Sequence, residues 1–404
     1  MTYHTLDSLD PAPLPTGLHT DRAQETRWVV QAVKPVQYEV RMVAGLLDPA
    51  SDELATAGTT ERTGNRRFVV VDAHVHELYG DRIRAYLDRH GLTGRLCVLP
   101  AGEEAKTMES VLRVVRGIDE FGISRRHDPV IAIGGGVLLD IVGFAASMYR
   151  RSTPYVRVPT TLIGLVDAGV GVKTGINFDA GKNRLGTYAA PAVSLLDRTF
   201  LTTLDRRHLS NGLAEILKIA LVKDARLFAL LESHAEELIE TAFQGRFDQD
   251  PVAAEVLERA IHGMLEELQP NLWESRLERL VDYGHTFSPT LEMDALPALL
   301  HGEAVNLDMA LTTVIGRRRG LVTDAEQERA LRVMRRLELP LSHPVCTGDR
   351  LERALADTVR HRDGLQRLPL PVGIGDACFA NDVTARELHD AAEELAQLET
   401  TRAR

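Results

Sequence analysis

Cysteine is scarce in this chain: three residues among 404, at positions 97, 346 and 378, odd in number and far apart. Such a set builds no disulfide framework, and with no Cys-x-x-Cys pair it excludes a thiolate zinc site. It points to a reducing compartment, the cytoplasm. An excess of basic residues is also missing, with 47 Lys and Arg against 58 Asp and Glu and a formal net charge of −11. A chain of that balance does not bind nucleic acid through its whole surface, so an anionic ligand must be held by a local basic cluster. No apolar run approaches the roughly 18 residues of a membrane helix. The N-terminus has no basic stretch followed by an apolar core, the pattern of an export signal. Neither a nucleic-acid nor a membrane partner is therefore expected.

The length exceeds one ordinary core and calls for two domains. Residues 1–27, with Pro11, Pro13 and Pro15 among polar residues, lack periodicity and read as a loose extension. Between 28 and 200, short apolar runs are each closed by a turn signal. Phe68–Val71 precedes Asp72, Leu96–Leu99 precedes Pro100-Ala101-Gly102, and Val130–Ile133 precedes three glycines. Tyr155–Val158 precedes Pro159, and Val193–Leu196 precedes Asp197. Helix-like segments, 106–121 and 137–148, lie between several of them. Alternation of this kind predicts a Rossmann-like parallel sheet with helices on its faces, and a ligand beyond the carboxyl ends of the strands. From 201 to 404 helical periodicity takes over, at 210–222, 226–243, 251–268, 275–283, 303–319, 324–337 and 385–398, and no strand series remains. The second half is thus predicted to be a mainly α-helical domain, with the active site in the cleft between the halves.

The stretch from Val130 to Asp140 runs strand, Gly134-Gly135-Gly136, helix. Glycines let a phosphate approach the backbone, and the helix N-terminus offers free N–H groups. The triplet is not the Gly-x-Gly-x-x-Gly fingerprint, and any strand-to-helix glycine turn would look the same. Asp140 can face the same cavity, and Asp72 is placed to accept from ribose hydroxyls. Glu103 and Lys106 form an i, i+3 acid–base pair that simple helix capping would also explain. For an anionic substrate, Arg150, Arg151, Lys173, Lys182 and Lys218 offer local positive charge. Glu215 and Lys218 share one helix face within an apolar run, where burying charges costs several kcal/mol unless each has a partner. A solvent-exposed ion pair is the poorer reading there. His285 and His301 each adjoin a glycine. Two imidazoles and one carboxylate make the protein part of an open catalytic zinc site. Spacings of 70 and 16 residues do not by themselves separate that from structural histidines.

Taken together, Gly-Gly-Gly-Val-x-x-Asp (134–140), Pro-Thr-Thr (159–161), Val-Asp-x-x-Val-Gly-x-Lys-Thr-Gly-x-Asn (166–177), Gly-Lys-Asn (181–183), Ala-Glu-x-x-Lys (214–218), Gly-His-Thr-Phe (284–287) and His-Gly-Glu-Ala-Val (301–305) resemble the dehydroquinate synthase superfamily, the sugar phosphate cyclases. The motifs span roughly residues 68–310 in family order. The resemblance implies an NAD-binding α/β domain, a helical metal-binding domain and a homodimer. It places Glu215, His285 and His301 on zinc, or on cobalt, which the same ligands bind. It places Asp72, Glu103, Lys106, Gly134, Gly135, Gly136, Val137, Asp140, Thr160, Thr161, Lys182, Leu201 and Thr203 around NAD. Asp167, Lys173, Asn183 and Lys218 would meet a small sugar phosphate, with Arg151 on its phosphate, reaching across the dimer. Glu274 matches a further active-site acid, and Asp282, His285 and His301 would border the substrate.

Departures from the family pattern carry information too. Ser288-Pro289 replaces a Gly-His pair, Asp282 an Asn, Met264 a Lys and Glu278 an Arg, and a late Asp-Lys-Lys becomes Asp363-Gly364-Leu365. Basic groups are thus missing where a substrate carboxylate and phosphate would be held, which favours a substrate without the carboxylate. That pattern resembles the branch that cyclises sedoheptulose 7-phosphate in aminocyclitol biosynthesis. The resemblance implies transient oxidation of the C5 hydroxyl by NAD with zinc as Lewis acid, loss of phosphate from C7, re-reduction at C5, and attack of C7 on the C2 ketone. Lys173, Lys218 and Arg151 would stabilise anionic charge. A dehydroquinate synthase, a cyclase with an epimeric or deoxygadusol-type product, and an NAD- and metal-dependent polyol dehydrogenase are the rival readings.

Overall fold

The computed structural model describes residues 17–21, 27–179, 181–244 and 251–400. Its contacts divide the chain into two units, Met1–Gln37 and Tyr38–Arg404. In the first, β1 (Gly17–Asp21) and β2 (Arg27–Gln31) pair as an antiparallel hairpin. The N-terminal extension is therefore not loose throughout. The β-branched and aromatic run Trp28-Val29-Val30 favours a strand in spite of the prolines before it. Residues 1–16 and 22–26 of that expected extension lie outside the described residues.

The second unit begins with β3 (Glu39–Val43), β4 (Arg66–Asp72), β5 (Thr93–Leu99), β6 (Val130–Gly134) and β7 (Tyr155–Pro159). A hairpin of β8 (Lys173–Phe178) and β9 (Gly181–Tyr188) follows, then β10 (Val193–Asp197). The hairpin apart, these strands form one sheet in the order β3-β10-β7-β6-β4-β5, with every pairing parallel. Alternate residues feed opposite layers, as strand pleating requires. Val69, Val71, Ile131 and Ile133 pack with the short helix α1 (Glu53–Thr56) and with α2 (Ala73–Arg89). Phe68, Val70, Val130 and Ala132 pack with α3 (Met108–Phe121) and α4 (Gly136–Met148). Both faces are covered, so the strands read as unbroken apolar runs, which is why the sequence exposes them. The edge strand β3 is half-exposed and carries Glu39 and Arg41, and no such run marks it.

Helices α5 (Arg206–Val222), α6 (Ala225–Glu240), α7 (Pro251–Leu268), α8 (Ser288–Ala295) and α9 (His301–Arg318) build the second half. They are completed by α10 (Asp324–Arg336), α11 (Gly348–His361) and α12 (Ala385–Thr400). A small hairpin, β11 (Leu368–Pro371) with β12 (Ala377–Ala380), interrupts the helical series that the sequence predicts. Helix α5 is buried from Leu209 to Val222 and α9 from Gly302 to Gly316, so both are central helices without a polar face. The predicted helix at 275–283 is corrected to a single 3-10 turn, Leu280–Asp282. Arg279 before that turn is extended, and its guanidinium is drawn to two carboxylates. The division at residue 200 between a sheet domain and a helical domain is our proposal. Leu162, Leu165, Val166 and Val170 join the helical core, so packing continues across it. Among the described residues no helix is long and apolar enough to cross a membrane.

Candidate active site

Three side chains distant in sequence meet where α5 passes the start of α9. The Glu215 carboxylate oxygen Oε1 lies 3.2 Å from His301 Nε2 and 3.6 Å from His285 Nε2. Ligands around a tetrahedral ion with bonds of about 2.0–2.1 Å stand roughly 3.3 Å apart, so these spacings suit one divalent cation. Two close approaches permit the convergence. A side chain at Gly302 would collide with the Asn211 carbonyl of α5, so only glycine lets the two helices touch there. Gly284, with φ at +75°, turns the chain into His285 and leaves no room for a Cβ beside Val305.

The hydrogen bonds of the two rings also fit a cation. His285 Nδ1 donates to the Tyr283 carbonyl at 3.0 Å, which leaves the Nε2 lone pair facing Glu215. Burial holds that imidazole down at about 4 against the pull of Glu215. His301 Nδ1 faces Glu292 at 2.9 Å. Burial and Lys182 depress the His301 imidazole, but Glu292 and Glu215 outweigh them and raise it to about 9. Both Glu215 oxygens are fully buried without a hydrogen bond. The Lys218 ammonium pairs with Oε2 at 2.6 Å. Burial opposes ionisation of Glu215, yet Lys218 and the imidazoles hold its pKa well below the ordinary carboxylate value. A buried carboxylate with free lone pairs, beside a neutral imidazole and one anchored by Glu292, is a donor set that a divalent metal satisfies.

On one side of this centre Lys182 reaches both oxygens of Glu292 at 2.5 Å and lies 3.2 Å from His301 Nδ1. The expected cofactor lysine thus couples first to the carboxylate behind a candidate metal ligand. On the sheet side, Gly134 closes β6 and Gly135 caps α4. The backbone there lies so close to Leu138, Asp72 and Thr161 that Cβ atoms at 134 and 135 would crowd them. Asp72 ends β4 and accepts from Val75 N at 2.8 Å. Lys106, almost fully buried, does not pair with Glu103. Its ammonium lies 2.6 Å from Asp140 and donates to Asn183 at 2.6 Å, while Glu103 accepts from Asn177 at 2.9 Å. Thr160 N donates to the Gly134 carbonyl, Thr161 sits beside Gly135, and Val137 packs on the α3–α4 layer. Thr203 bonds Tyr79 at 2.8 Å, and Leu201 is buried in the helical core. Asp72, Gly134–Gly136, Asp140, Thr160 and Lys106 therefore gather at the carboxyl ends of neighbouring strands, as the parallel sheet leads one to expect.

Lys173 and Glu274 lie 2.8 Å apart, with Tyr188 donating to Glu274 at 3.1 Å. Crowding by surrounding protein and then the Arg279 charge hold the Lys173 ammonium below the usual lysine value, although 59% of its side-chain surface is open. Arg279 also bonds Glu274 and clasps Asp282, at 3.0 and 2.5 Å, and Arg362 reaches Asp282 at 3.4 Å. Burial works against ionisation of Asp282, but Arg279 and Arg362 keep its pKa low. The inference that basic groups are missing here is corrected. Arg279, next to Glu278, and Arg362, two positions before Gly364, supply guanidiniums, and the protein's own carboxylates already engage both. Asp167 and Lys218 lie within electrostatic reach of Lys173. Arg151 stands apart, on an exposed turn where residues 150–152 all have positive φ.

Sequence reasoning missed Glu292, Arg279, Arg362 and Asp308. Glu292 lies on the short α8, which has no amphipathic pattern to draw attention. Asp308 is wholly buried on α9, and its Oδ2 accepts from the N–H groups of Thr286, Phe287 and Ser288 at 2.8, 2.6 and 3.1 Å. The apolar run around it was the available signal, as it was for Glu215.

The N-terminal family of 3-dehydroquinate synthase matches residues 96–211, and the C-terminal family matches 212–360. A 2-epi-5-epi-valiolone synthase of Actinomyces sp is 65% identical over 374 residues, covering 92% of this chain and 98% of that one. A 2-epi-5-epi-valiolone synthase of Streptomyces albus is 61% identical over 365 residues, 90% of this chain and 89% of that one. The solved structure of ValA, the 2-epi-5-epi-valiolone synthase of Streptomyces hygroscopicus subsp. jinggangensis 5008, with NAD+ and Zn2+ bound, superposes with a TM-score of 0.87 at 57% identity. It covers 92% of this chain and all of its own.

Proposed function

The chain belongs to the 3-dehydroquinate synthase family, and from that premise we propose that it is a sugar phosphate cyclase converting sedoheptulose 7-phosphate to 2-epi-5-epi-valiolone with release of phosphate. It acts as a carbon–oxygen lyase in C7-cyclitol biosynthesis: the bond from C7 to the phosphate oxygen breaks and a C7–C2 bond forms. Glu215, His285 and His301 hold the metal. Asp72, Glu103, Lys106, Gly134–Gly136, Val137, Asp140, Thr160, Thr161, Lys182, Leu201 and Thr203 surround the dinucleotide. When bound, NAD would take up and return the hydride of the C5 hydroxyl, and zinc or cobalt would polarise that oxygen.

The observation that carries the substrate assignment is the Glu274–Arg279–Asp282–Arg362 network beside Lys173. A substrate carboxylate entering there would meet guanidiniums already neutralised and the buried charge of Asp282. A seven-carbon sugar phosphate with a hydroxymethyl end instead of a carboxylate meets no such repulsion. Lys173 and Lys218 stabilise developing negative charge on oxygen, while Asp167, Asn183 and Glu274 orient hydroxyls. Arg151 grips the phosphate from a second subunit of a homodimer, in keeping with its separation from the cluster. Pro289 has no proton to move, so a phosphate oxygen of the substrate serves as base at C6. Incubation with sedoheptulose 7-phosphate, NAD+ and Zn2+, with NMR of the product, tests the proposal. It expects a cyclitol and equimolar phosphate; turnover only of a carboxylated seven-carbon sugar phosphate would refute it.

A further inference from the structure

We propose that Arg157 is a positioning residue for Lys173, acting through the backbone of the loop that carries it. The inference rests on the cyclase reading above for the role of Lys173, and on geometry for the rest. Arg157 lies in the middle of β7, between β6 and β10, and is wholly inaccessible to solvent. Among the described residues it has no ion pair, an unusual state for a buried guanidinium, which ordinarily needs a carboxylate. It instead donates to three main-chain carbonyls: Ala168 at 2.9 Å, Gly171, and Lys173 itself at 3.1 Å. The Tyr155 ring lies 5.4 Å below its charge.

The segment so held leaves the π-turn Gly164–Ala168 and enters β8 at Lys173. The amides of Val170 and Gly171 turn back to the Asp167 carbonyl. The Val170 carbonyl accepts from the Tyr38 hydroxyl at 3.0 Å, and the Val172 carbonyl from Ala189 N at 2.7 Å. Carbonyls 168, 170, 171, 172 and 173 are therefore all partnered, three of them by one planar donor fork that no other side chain could reproduce. Asp167 and Lys173 stand at the two ends of this pegged loop. The Lys173 side chain is itself largely unpacked, so its ammonium is placed by where its backbone is fixed and by Glu274. A shift of about 1 Å in a reacting group can cost of order 10²-fold in rate.

The test is a double-mutant cycle on kcat for phosphate release from sedoheptulose 7-phosphate, using Arg157→Gln and Arg157→Lys alone and combined with Lys173→Ala. Arg157→Gln is expected to lower kcat about 30- to 100-fold with the KM for NAD within about threefold. Arg157→Lys, which keeps charge and three donors, should stay within about tenfold of the parent, and neither change should add more than about threefold to the loss caused by Lys173→Ala. Equal losses in both backgrounds would overturn the proposal, since Arg157 would then serve the fold alone. Should the glutamine variant fail to fold, Tyr38→Phe removes a donor from the same loop without burying a charge, and its smaller loss must likewise vanish when Lys173 is absent. Amide hydrogen exchange over 168–174 reads the peg without substrate: faster exchange in Arg157→Lys is expected, and unchanged protection counts against it. A parent chain that releases no phosphate would contradict the cyclase reading, while the exchange result would still decide the role of Arg157.

Discussion

Replacing Glu292 by glutamine removes one charge and leaves two buried partners, which makes its consequences calculable. The Glu292 carboxylate is almost wholly buried, with Lys182 at 2.5 Å and His301 Nδ1 at 2.9 Å. Burial alone would raise its pKa, but His301 and Lys182 lower it from 4.5 to about 2. At 1.36 kcal/mol per pKa unit that difference corresponds to about 3 kcal/mol of stability. It is fully present above pH 4.5 and lost as pH falls from there towards 2, because the unfolded chain then takes up the proton first. Glutamine forfeits this term and strands the Lys182 ammonium, so the metal-free variant should lose about 3–5 kcal/mol in denaturant unfolding near neutral pH. The His301 ring also loses the charged acceptor that orients it, for which about 10- to 100-fold weaker zinc binding is expected. Competition against a chromogenic chelator measures that loss. A Glu292→Gln, Lys182→Met pair, with no stranded charge, should recover most of the stability but not the zinc affinity. A single variant within about 1 kcal/mol of the parent, with unchanged zinc affinity, would refute the reasoning.

Other consequences follow from the same geometry. Asp140→Asn strands the Lys106 ammonium and should weaken NAD binding about tenfold or more, which isothermal titration would detect. Burial raises the Asp308 carboxyl from 3.8 to about 6 in spite of its three backbone donors. The folded chain therefore holds more protons than the unfolded one between those values, and stability falls as pH rises through them. Relative to Asp308→Asn, the parent should lose about 3 kcal/mol across that interval, and a flat or inverted difference would contradict the assignment. Chelation should abolish phosphate release and lower Tm, zinc should restore both, and Glu215→Ala should be indifferent to either treatment.

What the sequence made legible was whatever a short-range pattern could carry. Strands buried on both faces appear as apolar runs, and Glu215 with Lys218 stands out because charges in an apolar helix need partners. His285 and His301 adjoin Gly284 and Gly302, glycines that the close passage of chains demands, so a candidate metal centre could be proposed from the combined motifs. Long-range pairing was not legible. Glu292 gains its meaning from His301 and from Lys182, 110 residues away, and Lys106 turned out to choose Asp140 over its neighbour Glu103. The departures at Glu278, Gly364 and Leu365 suggested vanished positive charge, whereas the neighbouring Arg279 and Arg362 bring guanidiniums to Asp282, which only the fold reveals. Arg157 looked like one residue of a strand; its function as a brace depends on carbonyls that no side-chain pattern records.

The central claim is that a hydride is lent and returned within one catalytic cycle at a metal held by Glu215, His285 and His301. Sedoheptulose 7-phosphate carrying deuterium at C5, turned over with unlabelled NAD+, tests it most directly. The cyclitol should retain the deuterium at the carbon that bore it, with equimolar phosphate and no accumulation of NADH. Deuterium found in a pool of released reduced cofactor, or product formed without phosphate, would contradict it.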